Sequence, residues 1–346
     1  MIDFTQIQFD GIFIHQVGNK LRDEGLKISS KDISFEDDET RSYLLKYFLS
    51  PFNNNEVYNF FHPSELDLNA IYVFVKRLFA SPITLYQSSI DISKHLYENS
   101  THPKISGGEL CVCYFTNCLF DGVSADAIGF FKSENKDVFL KFDSIRNNFK
   151  IKHESGININ KLDKGCLIFN LEKDKGYKVC IIDSNKSNDT QYWKNDFLNI
   201  KPASDDYHFT KDFLSITKDF VTKQFSEDFE VSKADQINLL NRSVDYFKTH
   251  ESFDKKEFEK EVFQDPEIIK SFRKFDKIYR DDNEIELTEN FDISTQAVKK
   301  QARVFKSVLK LDNNFDIYIH GDRELIEQGV EKDGRKYYKI YYKDES

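Results

Sequence analysis

The chain contains 346 residues, 39% of them hydrophobic and 31% charged, and its formal net charge is −10. Its 33 phenylalanines and 17 tyrosines exclude a disordered chain, and its length suits two domains. The acidic charge disfavours nucleic-acid binding by the surface as a whole, because an acidic protein repels phosphate at long range. Such binding would need a local basic surface.

The sequence predicts a soluble cytoplasmic protein. No early stretch has the basic flank and cleavage site of a signal peptide, and no apolar run approaches the roughly 20 residues of a spanning helix. The five cysteines include no Cys-x-x-Cys pair and have no histidine at ligand spacing, so we expect reduced thiols, no zinc and no cofactor. Cys111 and Cys113 lie two residues apart in a strand-like run and should share one sheet face.

Residues 1–203 are predicted to form an α+β domain in which helices precede antiparallel strands. The domain begins with a strand or bulged hairpin at 4–17. Helices follow at Asp37–Phe52, at Ser64–Phe79 with Ser64 as its cap, and at Pro82–Tyr97. Short connections between the later strands indicate an antiparallel meander. The meander strands are Leu110–Phe120, Ala125–Lys132 and Val138–Phe142, and further strands are expected at Asn148–Lys152, Gly165–Leu171 and Tyr177–Asp183.

A boundary is expected near Lys201–Tyr207, followed by a helical region at 204–284. The predicted helices are Asp206–Gln224, Ser232–Thr249, Asp254–Val262 and Pro266–Tyr279, and Ser232 with Asp235 approximates a capping box. An apolar stripe on the first helix indicates packing within a small bundle, with a dimerisation arm as the alternative. The stripe consists of Phe213, Ile216, Phe220 and Phe225.

Residues 285–346 are predicted to form a small α+β unit. A helix opened by Ser294 runs to about Ala302 and precedes two pairs of strands, and Asp333-Gly334 marks the turn of the second pair. The strands are Val304–Leu311, Phe315–His320, Val330–Lys332 and Lys336–Tyr342. The fold class is therefore α+β, with N-terminal helices and an antiparallel sheet, a helical middle region and a small α+β C-terminal unit.

The C-terminal unit is the strongest candidate for contact with nucleic acid. Residues 293–346 contain 11 Lys or Arg and 9 Asp or Glu, whereas the rest of the chain carries a net charge of −12. Five basic residues fall close together without an intervening acid. If one helix covers the run, Lys299, Arg303, Lys306 and Lys310 share a face, and Lys306 and Lys310 still share one if a strand begins at Val304. The cluster consists of Lys299, Lys300, Arg303, Lys306 and Lys310.

A second basic cluster, Gly334–Lys343, interleaves Arg335, Lys336 and Lys339 with four tyrosines. Such a segment offers charges for phosphate contact and flat rings for stacking on unpaired bases. The alternative for both clusters is a solvated face, because runs of charge are often merely solvated. In the second cluster, alternating Tyr and Lys is also typical of a half-buried strand.

Two other groups of residues have structural explanations. The Gly107-Gly108 pair is followed by a strand and not by a helix, so turn geometry explains it better than a phosphate loop does. His95 and His102 could build a hydrolytic site with nearby carboxylates, but their spacing matches no metal motif and favours capping or packing. No catalytic residue is predicted. The carboxylates concerned are Glu98, Glu109, Asp121 and Asp126.

Three segments carry a likeness to a known family: Arg41–Phe52, Lys94–Ser133 and Val304–Gly321. Through them the chain resembles the bacterial nucleoid-associated protein family. The resemblance implies a non-enzymatic protein of the nucleoid that binds DNA, duplex or single-stranded, without sequence preference. RNA, chromosome-associated proteins and a second copy of the chain are further candidate partners; a membrane is not. The alternatives are an adaptor recruited by protein partners, which the net charge favours, and a DNA-processing enzyme such as a nuclease.

Overall fold

The computed structural model has the α+β class that the sequence predicts, with helices and antiparallel sheets. Contacts divide the chain into two compact units, Met1–Ala203 and Ser204–Ser346. A further division of the second unit at residue 284 stays a prediction. In the part of the chain that the structure describes, no helix combines the length and apolar character needed to cross a membrane. The described residues are 2–30, 33, 35, 37–52, 56–145, 148–184, 192–302, 305, 308–312, 314–318 and 325–343.

The first unit contains most of the strands. Its helices are α1 (Asp38–Leu49), α2 (Ala70–Ala80) and α3 (Leu85–Asn99), with a π-helical segment at Trp193–Leu198. Short 3-10 turns lie at Lys20–Arg22, Leu66–Leu68, Pro82–Thr84 and Lys173–Lys175. The strands are β1 (Ile2–Asp3), β2 (Gln8–Val17), β3 (Leu26–Lys27), β4 (Val57–Phe60), β5 (Gly108–Phe120), β6 (Val123–Ser133), β7 (Asp137–Ile145), β8 (Asn148–Gly156), β9 (Lys164–Phe169), β10 (Lys178–Asp183) and β11 (Ile200–Pro202).

The large sheet is covered by helices on both faces. Its strand order is β11-β4-β10-β9-β6-β5-β2-β3, with β1 paired to β5. Along β5, Leu110 and Val112 pack with α2 and α3, whereas Cys111 and Cys113 pack on the opposite face with α1. Because both faces are covered, β5 is a nearly continuous apolar run. The shared face of the two cysteines is confirmed, and all five cysteines of the chain are buried and unbonded.

The second helix begins later than predicted, and Ser64 is not its cap. Asn69 is the cap, and its side chain accepts a hydrogen bond from the Tyr72 backbone N–H at 3.0 Å. The Asn69 amide also donates to the carbonyl of Leu198 at 3.1 Å. A partner so distant in sequence decides the position of the helix start, which explains why the local pattern around Ser64 misplaced it.

The predicted meander is wrong at one point, because a two-stranded ribbon interrupts it. Strand β6 pairs with β9, from Ala127 opposite Phe169 to Lys132 opposite Lys164. Strands β7 and β8 pair with each other outside the large sheet. Sheet pairing is decided by which faces become buried, and the sequence pattern of 137–156 resembles that of a sheet strand. The strand β4, between β10 and β11, was not predicted.

The second unit is mainly helical. Its helices are α4 (Asp206–Asp219), α5 (Phe225–Asp228), α6 (Lys233–Thr249), α7 (Lys255–Phe258), α8 (Pro266–Asn283) and α9 (Thr295–Ala302), with π-helical segments at Phe220–Gln224 and Glu259–Phe263. Three antiparallel pairs accompany them: β12 (Ser252–Asp254) with β13 (Asn290–Asp292), β14 (Val308–Leu311) with β15 (Phe315–Tyr318), and β16 (Ile326–Val330) with β17 (Lys336–Ile340).

Phenylalanine fills the core of the second unit. The stripe residues Phe213, Ile216, Phe220 and Phe225 are all buried in it, which confirms the packing interpretation. The Phe213 ring lies 4.3 Å from that of Phe253, measured between centroids. Contacts of this kind add stability beyond the buried area of each ring.

Candidate nucleic-acid interface

The first predicted basic residues lie on helix α9. The Ser294 side chain accepts a hydrogen bond from the Ala297 backbone N–H at 3.3 Å and so satisfies a donor at the helix start. Ala297 and Val298 are buried, which turns Lys299 and Lys300 towards solvent. The Lys300 ammonium lies 5.3 Å from the centre of the Tyr207 ring, a cation–π contact that still leaves the lysine exposed.

The remaining residues of the first cluster follow the end of that helix. Helix α9 ends at Ala302 and Val308–Leu311 is a strand, so the alternative of one helix reaching Lys310 is wrong. Lys310 is exposed on β14, opposite Asp316 of β15. Arg303 and Lys306 lie outside the described residues.

The second cluster lies on the hairpin formed by β16 and β17. Gly334 in its turn has φ +87°, a conformation that favours glycine, and the predicted Asp333-Gly334 turn is confirmed. The first strand is displaced, since it runs from Ile326 to Val330 and not from Val330 to Lys332. Arg335, Lys336 and Lys339 are all exposed.

One side of this hairpin packs and the other faces water. Ile326 and Tyr338 join a small apolar cluster with Ile237, Leu311 and Ile317. Tyr338 is therefore half-buried, as the alternating pattern predicts for one side of a strand. The Lys339 ammonium lies 4.9 Å from the centre of the Tyr341 ring and occupies one of its faces. The three tyrosines other than Tyr338 are exposed and offer ring surface for stacking. They are Tyr337, Tyr341 and Tyr342.

Carboxylates accompany the basic residues of the hairpin. The Arg335 Nε lies 2.7 Å from Asp333 Oδ2, with both side chains largely exposed. The Lys339 Nζ lies 3.6 Å from Glu327 Oε2, and the Tyr341 hydroxyl donates to the same carboxylate oxygen at 2.6 Å. Tyr341 and Glu327 raise the pKa of Lys339, so the lysine is charged at neutral pH. Exposed ion pairs contribute at most about 1 kcal/mol, so phosphate can compete for these cations.

The elements that carry the basic residues surround helix α6. Helix α6 packs against both α9 and β14. Strand β14 in turn shares the small apolar cluster with the β16–β17 hairpin. The six described basic residues thus come from three elements of the same unit.

A further row of basic residues, which sequence reasoning missed, lies on α8 and outside the predicted C-terminal surface. Lys270, Lys274 and Lys277 are exposed at helical spacing and share one face. Arg273 also belongs to this helix, but its Nη2 binds the buried Glu259 carboxylate at 2.6 Å. The i, i+4, i+7 spacing of the lysines was the signal that could have revealed the row.

Three of the groups considered for catalysis, His95, His102 and Asp126, make structural contacts. The His95 Nε2 contacts the Phe197 carbonyl at 3.2 Å, and the His102 ring accepts from the Lys104 backbone N–H at 3.2 Å. Asp126 accepts from the Tyr114 hydroxyl at 2.7 Å. Within the described residues, none of these groups belongs to a cluster that could hold a metal ion.

One cluster in the described part of the chain has metal-ligating side chains within reach of one another. The ligand atoms of His250, Glu257 and Glu261 lie within 4.8 Å. The imidazole also stacks on the Tyr246 ring at 4.1 Å and its Nδ1 contacts the Tyr246 carbonyl at 3.0 Å. Packing and hydrogen bonding thus explain the position of the imidazole, and we assign no metal to the cluster.

The Gly107-Gly108 pair is explained by close packing and not by turn geometry. Neither residue is among those with positive φ. A Cβ atom on Gly108 would lie 2.0 Å from the carbonyl oxygen of Ser133, and one on Gly107 would lie 2.8 Å from the Glu24 carboxylate. Only glycine lets these segments approach so closely.

Two buried lysines were not foreseen. Lys132 and Lys164 face each other across β6 and β9 and are fully buried. The Lys132 Nζ donates to the Ser106 carbonyl at 2.6 Å and lies 3.0 Å from Glu134 Oε1, while Lys164 binds Asp183. Each charge is therefore compensated, as a buried ion must be.

The fold and these residues define an α+β protein with exposed basic side chains on several elements of its second unit. The chain belongs to a nucleoid-associated protein family: it matches the family described as nucleoid-associated protein YejK over residues 13–336. No curated protein matches the chain. Membership confirms the resemblance carried by the three sequence segments. It gives the protein a nucleoid-associated role, with nucleic acid as the class of partner that the family suggests.

Proposed function

We propose that the protein binds nucleic acid non-enzymatically and without sequence preference, through a C-terminal basic surface within 285–346. The observation that carries the proposal is the exposure of all six described basic residues of this surface. They lie within residues 293–346, where 11 Lys or Arg outnumber 9 Asp or Glu, whereas the rest of the chain is acidic. The proposed surface consists of Lys299, Lys300, Arg303, Lys306, Lys310, Arg335, Lys336 and Lys339.

Phosphate contact is the mechanism of this proposal. Lysine and arginine side chains that neutralise phosphates release condensed counterions, and this release drives binding in a salt-dependent manner. Contacts to phosphate carry no sequence information, which is why no sequence preference is expected. The exposed Tyr337, Tyr341 and Tyr342 add a preference for unpaired bases, since a ring can stack on any base.

The salt dependence of binding to random duplex and single-stranded DNA tests the proposal. Changing Lys299, Lys300 and Lys310 together to Gln should lower the slope of log K against log salt by about 0.9 per contact on duplex DNA. The matched control changes Lys270, Lys274 and Lys277 of α8 to Gln, which removes the same charge elsewhere. The slope of the control should stay near that of the wild type. Absence of binding by the purified protein at low salt would refute direct contact.

An adaptor recruited by protein partners is the second candidate, and the charge of the chain favours it. Residues 204–292 contain 23 acidic and 14 basic residues, and such a surface repels DNA. An adaptor would not bind purified DNA, yet it would still localise to the nucleoid after the three C-terminal substitutions. Direct binding predicts that the same substitutions weaken both DNA binding and localisation.

A further inference from the structure

Strands β7 and β8 form a two-stranded ribbon outside the large sheet. In the sequence the ribbon lies between β6 and β9, which pair with each other in that sheet. Its register runs from Asp137 opposite Gly156 to Ile145 opposite Asn148. Because strands β6 and β9 continue the large sheet without it, the ribbon has no sheet neighbour among the described residues. A two-stranded hairpin alone is marginally stable in water, so an element of this length requires additional contacts.

One face of the ribbon is apolar and exposed. Directly opposed residues of an antiparallel pair share a face, so the register assigns every side chain to one side. The five large apolar side chains of this face have 61 to 69% of their surface exposed. Ser144, His153 and Ser155 complete the face, which contains no Lys, Arg, Asp or Glu among the described residues. The five residues, here called the ribbon apolar face, are Val138, Leu140, Phe142, Phe149 and Ile151.

The opposite face of the ribbon carries ion pairs beside the partly exposed Phe139. Its Lys141 Nζ lies 3.3 Å from the Glu154 carboxylate, and its Lys152 Nζ lies 2.5 Å from that of Asp143. The lysines of these pairs therefore face away from the ribbon apolar face. A polyanion bound to the apolar face would find no cation on it among the residues that the structure describes.

Hydrogen bonds hold the base of the ribbon, where the chain leaves the large sheet and returns to it. The buried Asp163 carboxylate accepts from the backbone N–H groups of Glu134 and Asn135 at 2.7 and 2.9 Å. Just after β8, the Asn158 side-chain amide donates to the carboxylate of Asp137, the first residue of β7, at 2.9 Å. These hydrogen bonds thus hold the chain on both sides of the ribbon base.

We propose that the ribbon apolar face packs against the same face of a second copy of this chain. An identical face brings no charge into the contact, so pairing two copies buries no uncompensated ion. With roughly 100 to 150 Å² exposed by each large side chain, one face offers on the order of 600 Å². Two faces then bury about 1,200 Å², which reaches the range of specific interfaces. A two-fold axis makes such a contact self-complementary and closed.

The pairing has a consequence for binding to a linear polymer. A dimer carries two copies of the C-terminal unit, so any ligand site in that unit occurs twice. The second binding event then becomes intramolecular, and the overall affinity exceeds that of one site.

The mass of the full chain in solution tests the proposal. We expect the nuclease-treated protein at high salt to sediment as a dimer of the 40.8 kDa chain at concentrations between about 1 and 100 μM. Changing Phe142 and its cross-strand partner Ile151 to Thr should weaken dimerisation by at least about 100-fold. Threonine keeps the strand propensity, and circular dichroism verifies the fold.

The matched control changes Phe139 and its cross-strand partner Glu154 to Thr, on the opposite face of the same ribbon. The control should remain dimeric. A monomeric wild type would overturn the proposal. The same holds if the wild type is monomeric and its ribbon apolar face binds single-stranded DNA. An unchanged dimer in the Phe142 and Ile151 variant, or equal weakening in the control, would overturn it too. Dimerisation at high salt is independent of DNA binding, so each proposal can fail alone.

Discussion

Replacing Asp163 should destabilise the first unit, because its carboxylate holds the segment where the ribbon leaves the sheet. The residue lies in the segment that joins β8 to β9, directly before β9, and is almost fully buried. Its Oδ2 accepts the backbone N–H groups of Glu134 and Asn135, and its Oδ1 accepts from the Asn135 side-chain amide at 2.8 Å. Asp163→Ala leaves both backbone donors without this acceptor.

The magnitude follows from the burial of the two donors. An unsatisfied buried donor costs about 1 to 3 kcal/mol, and we take about 2 kcal/mol for Glu134, which is half-buried. Asn135 is exposed and can bind water instead, so its loss is about 1 kcal/mol. Asp163→Ala should therefore lower the free energy of unfolding by about 3 kcal/mol. Asp163→Asn retains an oxygen for the two donors and should cost about 1 kcal/mol.

Urea unfolding monitored by tryptophan fluorescence measures the effect. Trp193 is the single tryptophan of the chain, is fully buried in the first unit, and donates from Nε1 to the Gly165 carbonyl at 3.2 Å. Its signal therefore reports unfolding of that unit, and the midpoint shift at constant m-value gives the energy. Asp37→Ala, at the exposed cap of α1, serves as the control and should destabilise the unit less than Asp163→Ala does. Equal losses for Asp163→Ala and Asp163→Asn would refute the reasoning.

Two further predictions concern buried positions of the first unit. Burial lowers the pKa of His15, whose Nδ1 accepts from the Ser29 backbone N–H and whose Nε2 contacts Ser89. The unfolded chain then binds a proton that the folded one does not, so stability should fall as pH drops below about 6.5, and less so in His15→Gln, measured by urea midpoints. Gly108→Ala should cost about 3 kcal/mol through its clash with Ser133, whereas Gly156→Ala meets only ordinary contacts and should cost less than about 1 kcal/mol in the same assay.

The sequence by itself determined the features that depend on neighbouring residues. The capping box of α6 is present, with Ser232 Oγ and the Asp235 carboxylate each accepting the other residue's backbone N–H. The Asp333-Gly334 turn was also predictable, because turn geometry depends on a few consecutive residues. The same holds for the apolar run of β5, the phenylalanine core and the charge difference between the C-terminal segment and the rest of the chain. The site residues stay predictions, since exposure is necessary for binding and does not demonstrate it.

Only the tertiary structure decided the features whose partners are distant in sequence. Asn69 replaces Ser64 as the cap of α2 because it also reaches the Leu198 carbonyl. Lys132 can be buried because its ammonium group donates to the Ser106 carbonyl and the Tyr192 hydroxyl, both distant in sequence. The ribbon stands apart from the sheet because β6 pairs with β9, which no periodicity in 137–156 could show. Local patterns record the preferences of a segment, whereas burial and pairing depend on what the rest of the chain brings to it.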